Sequence, residues 1–228
     1  EDYLRILRFF RFHAWYGDPN HGIEAEGLAA CAELADGLEG LSRERVGSEM
    51  LKLLAAPDPS PSVASMGACG ALMRILPGAG AHLLPVLVHI EEAMEIAPDP
   101  IRRLAAIGGS DVDEALRLSN ENAARLHRLT LEMHAESLAD ELGYRLGAAM
   151  AQSVLALRWA MMGREPDLAA ASAARAAADQ RFPLSGKDVM PDLEGPQIGE
   201  ALRRAEEAWI ASGFALDRDA LLEVAFGG

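Results

Sequence analysis

Residues 1–16 read Glu1-Asp2-Tyr3-Leu4-Arg5-Ile6-Leu7-Arg8-Phe9-Phe10-Arg11-Phe12-His13-Ala14-Trp15-Tyr16. Apolar side chains at Leu4, Ile6, Leu7, Phe9, Phe10 and Phe12 run beside Arg5, Arg8 and Arg11 at every third position. This spacing predicts a helix with a basic stripe next to a wide apolar one. The same periodicity recurs at 24–38, 42–56, 62–76, 80–96, 99–108, 111–118, 120–138, 140–163, 167–180 and 197–212, each segment bounded by Gly, Pro, Asp or Ser. β-branched residues are scarce, with nine Ile, eight Val and the single Thr130, against abundant Ala, Leu, Arg and Glu. An all-α fold with no substantial sheet follows. Only residues 83–88 argue for a strand, and Pro85 weakens that reading.

The punctuation divides the chain into an N-terminal helical part at 1–57, a helical body at 58–182 and a tail at 183–228. Residues 17–22 form a turn, Pro57-Asp58-Pro59-Ser60-Pro61-Ser62 is the stiffest break, and a further break falls at Arg181-Phe182-Pro183.

The 228 residues are enough for a sizeable core. No apolar run approaches the length of a membrane span and no signal-peptide pattern opens the chain, so a cytoplasmic protein without membrane contact is expected. Cys31 and Cys69 are read as free thiols in a reducing compartment. The helical pattern begins at Glu1 with no initiator Met, which reads as a piece of something longer. The net charge of −14 argues at first against nucleic acid, but it is uneven. Residues 1–20 carry three basic and three acidic side chains, and residues 141–180 carry four of each. Basic residues that could face RNA therefore lie in the least acidic stretches, and a local RNA contact dependent on shape, with a shallow salt dependence, is expected.

Asp2 and Arg5 stand one turn apart. Two acids at the start of a helix suit its dipole and can pair with Arg5. The same geometry can also present a carboxylate beside a guanidinium. A carboxylate accepts from an exocyclic amine and a guanidinium donates to a ring nitrogen, which matches the Watson–Crick edges of cytosine and adenine. Guanine and uracil offer a carbonyl beside an N–H, and both contacts become repulsive.

Other constellations read as structural. His127 and His134, like His82 and His89, are seven residues apart, about 10 Å along a helix and too far for one zinc ion, so no metal site is expected. Ser185-Gly186-Lys187 lacks the context of a phosphate loop. Trp15, Trp159 and Trp209 read as core anchors, and residues 142–162, Met161 and Met162 included, read as the main core helix.

The string Glu1-Asp2-Tyr3-Leu4-Arg5-Ile6-Leu7-Arg8, followed by Arg11-Phe12, resembles the E-D-x-x-R-x-x-R motif of class II tRNA nucleotidyltransferases and bacterial poly(A) polymerases. Residues 41–54, from Leu41-Ser42-Arg43-Glu44-Arg45 to Leu53-Leu54, are similar to the family's S-x-E-R-[IV]-x-x-E-[LM]-x-K-[LI]-L helix. Arg117-Leu118-Ser119-Asn120 is similar to its R-L-S-N segment. Residues 184–190, Gly195-Pro196-Gln197-Ile198-Gly199 and residues 202–209 resemble its closing signature.

The resemblance implies a neck, body and tail without the catalytic head, whose phosphate-binding Gly-Ser turn and Mg²⁺-holding D-x-D pair have no counterpart in this sequence. It therefore implies no catalytic residue in this chain, and an isolated chain that is inactive. It assigns nucleotide binding to Glu1, Asp2, Arg5 and Arg8, with Asp2 and Arg5 contacting the base and Glu1 orienting the arginine. Glu44, Arg45 and Glu49 take a buttressing role, and Arg158, Arg164, Arg175 and Lys187 are candidate RNA contacts. The implied activity is CCA addition to tRNA 3′ ends from CTP and ATP. Polyadenylation of RNA is the near alternative, and a non-catalytic RNA-binding or scaffold domain is the alternative of another class.

Overall fold

Helix starts are written into the sequence as caps. Ser42, Asp99, Ser119 and Asp217 each accept a backbone N–H from the first turn that follows, satisfying donors the helix itself cannot. The computed structural model describes residues 2–18, 21–190 and 192–227. Among them lie fifteen α-helices, one 3-10 helix and no strand, as the composition requires.

The chain divides into two units, residues 1–136 with 153–167, and residues 137–152 with 168–228. The first contains α1 (Leu4–Tyr16), α2 (Ala25–Glu33), the 3-10 helix Ala35–Gly40, α3 (Arg43–Leu54), α4 (Ser60–Ala68), α5 (Ala71–Ile75), α6 (Leu84–Ala93), α7 (Pro100–Ile107), α8 (Val112–Ala115) and α9 (Asn120–Glu132). The second contains α10 (Ala139–Leu146), α12 (Leu168–Ala177), α13 (Gly186–Val189), α14 (Pro196–Ala211) and α15 (Arg218–Phe226). The helix between α10 and α12, α11 (Ala148–Met162), begins in the second unit and ends in the first.

Two long periodic runs are each split in two. Gly70 at φ +80° separates α4 from α5, and Gly147 at φ +78° separates α10 from α11. Both have a positive φ, which glycine adopts without a Cβ penalty. Residues 83–88 open α6 and are not a strand. Pro85 falls in the first turn, where a missing N–H costs nothing. The short helix α13 and the final helix α15 were not anticipated.

In the first unit α1 lies on α3 and α4. Leu4, Leu7 and Phe10 are buried with Val46, Met50, Leu53 and Leu54, the apolar stripes of the two helices. Gly47 lets α3 pass close to the end of α8, since a Cβ there would lie 1.9 Å from the Leu116 carbonyl oxygen. The C-terminal end of α3 is closed by Arg103, which is 1% exposed and donates to the carbonyls of Leu54, Ala56 and Pro57. Its charge is met by Glu91, 2.7 Å away, which also binds Arg102 at 2.7 Å. All three side chains are buried, so the pairing and the carbonyl contacts have to offset a large desolvation cost together.

Two core assignments need correction. Trp15 is 42% exposed, its indole N–H donating to the Lys52 carbonyl at 2.8 Å. Met161 and Met162 are 39% and 51% exposed at the end of α11, whereas Val154, Leu155, Leu157 and Trp159 are buried. Periodicity cannot show that a helix runs past the edge of what covers it.

In the second unit, Leu184, Val189, Ala201, Ala205, Trp209, Leu221 and Ala225 form the core, with Tyr144, Phe182 and Phe214 around the Trp209 ring. Ser185 and Asp188 make a reciprocal capping box on α13. Arg218 and the Ser185 hydroxyl and N–H bind the Asp188 carboxyl and hold it down at about 2. The Ser185-Gly186-Lys187 string is therefore a helix start.

Candidate functional site

The N-terminal end of α1 is the centre of the candidate site. Glu1 lies outside the described residues, as do Pro19 and Asn20 of the turn at 17–22. Asp2 precedes α1, and its Oδ1 accepts the Leu4 N–H at 3.2 Å. The expected partner of Asp2 was Arg5. In the structure Arg45, from α3, takes that place, with Nη2 3.0 Å from both carboxylate oxygens. Desolvation pushes the Asp2 carboxyl up, but the Leu4 N–H and the charge and hydrogen bonds of Arg45, with Arg8 beyond, bring it below the ordinary aspartate value. Both partners are substantially exposed, at 40% and 49%, so the pair adds little to stability.

Arg5 is exposed and makes no ion pair among the described residues. Arg8 and Arg11, on the following turns, converge on Glu49 of α3, at 3.6 Å and 2.7 Å. Glu49 is 7% exposed, which makes it a buried anchor for the basic stripe. Glu44 reaches Arg117 at 3.5 Å across the surface. The second motif helix thus touches the first motif at two levels, Arg45 on Asp2 and Glu49 on Arg8 and Arg11. Asp2 and Arg45 also line an open cavity of about 730 Å³ with Tyr3, Asp36, Gly37 and Leu41. The sequence reading gave Arg45 only a buttressing role. Its position in a motif was the available signal, but its contact spans 43 residues and no local spacing encodes it.

The candidate RNA residues are placed less uniformly. Arg158 is half-buried and donates to the Glu132 carbonyl through Nε and Nη2, at 3.2 and 2.8 Å, closing the end of α9. Arg164, Arg175 and Lys187 are exposed. Ser119, within the Arg-Leu-Ser-Asn segment, is the N-cap of α9, which gives that motif a structural reason. Among the described residues no three His, Cys, Asp or Glu side chains converge to hold a metal ion. No helix among them is long and apolar enough to cross a membrane.

The head of α1 thus presents a carboxylate and a basic stripe, with Asp2 held by Arg45 and with Arg8 and Arg11 held by Glu49, both of α3. Residues 22–83 match a family model described as the probable RNA and SrmB-binding site of polymerase A. The CCA tRNA nucleotidyltransferase 1, mitochondrial, of Mus musculus is 27% identical over 241 residues, covering 97% of this chain and 54% of that protein. The multifunctional CCA protein of Pseudomonas aeruginosa strain LESB58 is 37% identical over 79 residues, 34% of this chain and 19% of that protein. The Thermotoga maritima CCA-adding enzyme complexed with tRNA shares the fold with a TM-score of 0.63 at 16% identity, over 98% of this chain and 60% of that one. Over nearly its whole length the chain is thus similar in sequence to a CCA tRNA nucleotidyltransferase and in fold to CCA-adding enzymes. It spans about half the length of the mouse relative.

Proposed function

We propose that the chain is the base-selecting and RNA-positioning part of a template-independent RNA nucleotidyltransferase that adds C, C and A to tRNA 3′ ends. The observation that carries this reading is the fixed Asp2 carboxylate at the head of α1, with Arg5 exposed one turn on. Asp2 accepts the exocyclic amine of CTP or ATP, and Arg5 donates to the adjacent ring nitrogen, so G and U meet like against like. Arg8, fixed by Glu49, supports the helix and offers its remaining donors to phosphate. Glu1 orients Arg5. No group in this chain takes part in bond making. Phosphoryl transfer and the Mg²⁺ it uses belong to a head domain, and this chain's share is orientation of base and RNA.

Arg164, Arg175 and Lys187 are proposed RNA contacts, with Arg158 contributing mainly through α9. The neck, body and tail at 1–57, 58–182 and 183–228 are the functional division we propose, and cytoplasm the compartment, although the mouse relative is named as mitochondrial. Polyadenylation is the second reading, favoured by the polymerase A description of the model matching residues 22–83. Product length separates the two. Intact protein given ATP, CTP and tRNA lacking its CCA end is expected to stop after three nucleotides, whereas open-ended A tracts would contradict CCA addition.

A further inference from the structure

We infer that Arg45 is the positioning residue of the base-reading carboxylate: with the Leu4 N–H it fixes Asp2 so that one acceptor lobe of Oδ2 is left for an exocyclic amine. This rests on the proposed base-reading role of Asp2.

A carboxylate has about four lone-pair sites. Oδ1 uses two, for the Leu4 N–H at 3.2 Å and for Arg45 Nη2 at 3.0 Å. Oδ2 uses one, for the same Nη2 at 3.0 Å. The grip comes through a single nitrogen that straddles both oxygens and takes one site on each, so the second lobe of Oδ2 stays open. The remaining lobe belongs to a side chain that is 40% exposed and lines the open cavity.

The exposure of both partners explains why Arg45 does little for stability, yet it joins residues 43 apart and acts on the one carboxylate that meets the base. Its effect therefore falls on the orientation and charge of Asp2. A neutral carboxyl would carry an O–H that could donate to the carbonyl of G or U, so keeping Asp2 ionised keeps the choice sharp.

The charged groups around Asp2 are few. Arg45 approaches from α3, Arg8 acts from α1, and Asp36 of the 3-10 helix lines the same cavity but is paired with Arg74 of α5. Tyr3 and Leu41 supply the remaining wall. Arg45 is the only cation among the described residues in hydrogen-bond contact with the carboxylate.

The test measures kcat/KM for CTP, ATP, GTP and UTP from pH 3 to 8 in the intact protein and its Asp2→Ala, Arg45→Ala and Arg45→Lys variants, with helicity checked by circular dichroism. Arg45→Ala is expected to lower the preference for C and A about tenfold, the worth of one charge-assisted hydrogen bond. The acidic limb of its CTP profile moves to higher pH. Arg45→Lys restores the limb, because the point charge is kept, and only part of the preference. Wild-type preference and limb in Arg45→Ala, alongside lost preference in Asp2→Ala, would overturn the inference and leave base reading intact. A higher kcat/KM for CTP in Arg45→Ala also overturns it, since that marks a blocking latch. Wild-type preference in Asp2→Ala overturns the base-reading role, and the inference with it.

Discussion

The Glu49 carboxylate stands 2.7 Å from Nε of Arg11, a residue 38 positions earlier, and is buried where α3 crosses α1. Removing one partner of a largely buried pair leaves the other uncompensated. Glu49→Ala should therefore destabilise the protein by about 3 kcal/mol, with Arg8 and Arg11 both released. Urea unfolding checks this, and a loss below about 0.5 kcal/mol, the range of an ordinary surface change, would show that Glu49 does not anchor the stripe.

Arg103 joins α7 to the end of α3 through three carbonyls and Glu91. Arg103→Ala leaves those acceptors and a buried carboxylate without their donor, and a loss of about 4 kcal/mol is expected. Replacement of the whole Glu91, Arg102 and Arg103 group by apolar residues of similar volume should cost much less than Arg103→Ala alone. Equal losses in denaturant titrations of the two proteins would contradict this account of the cluster.

Asp99 caps α7 and binds Arg125 of α9. Burial raises its carboxyl, but the Arg125 hydrogen bond, the Arg102 N–H and the two guanidinium charges bring it below the usual aspartate value. A folded value below the unfolded one, about 4, gives stability that is present above pH 4 and is lost as pH falls through the folded value. Asp99→Asn should flatten that acid limb in a series of thermal melts between pH 2 and pH 6. An unchanged limb would assign the acid sensitivity to other carboxylates.

The all-α class was legible because it rests on local quantities: scarce β-branched residues, helical spacing, and caps such as Ser42 and Ser119. Gly70 and Gly147 were harder, since a glycine inside a periodic run reads equally as a tolerated residue until its φ is known. At the candidate site, Asp2 and Arg5 were singled out by helical spacing and motif, but the residue that pairs with Asp2 was not. Arg45 comes from another helix, and only the packing of α1 on α3 decides which guanidinium arrives first. Trp15 and Met162 were placed in the core on apolar context alone, and their exposure depends on where neighbouring elements end. The second unit pairs residues 137–152 with 168–228 across an intervening segment, a non-local relation that no local punctuation reports.

The central claim is that side chains at the head of α1 choose the base. Its most direct measurement is the incorporation of each of the four nucleoside triphosphates by the intact protein carrying Arg5→Ala, on tRNA ending before its CCA. Loss of the ring-nitrogen donor is expected to reduce the preference for CTP and ATP over UTP and GTP at least tenfold, with helicity unchanged. A variant that still selects CTP and ATP as the wild type does would contradict the account.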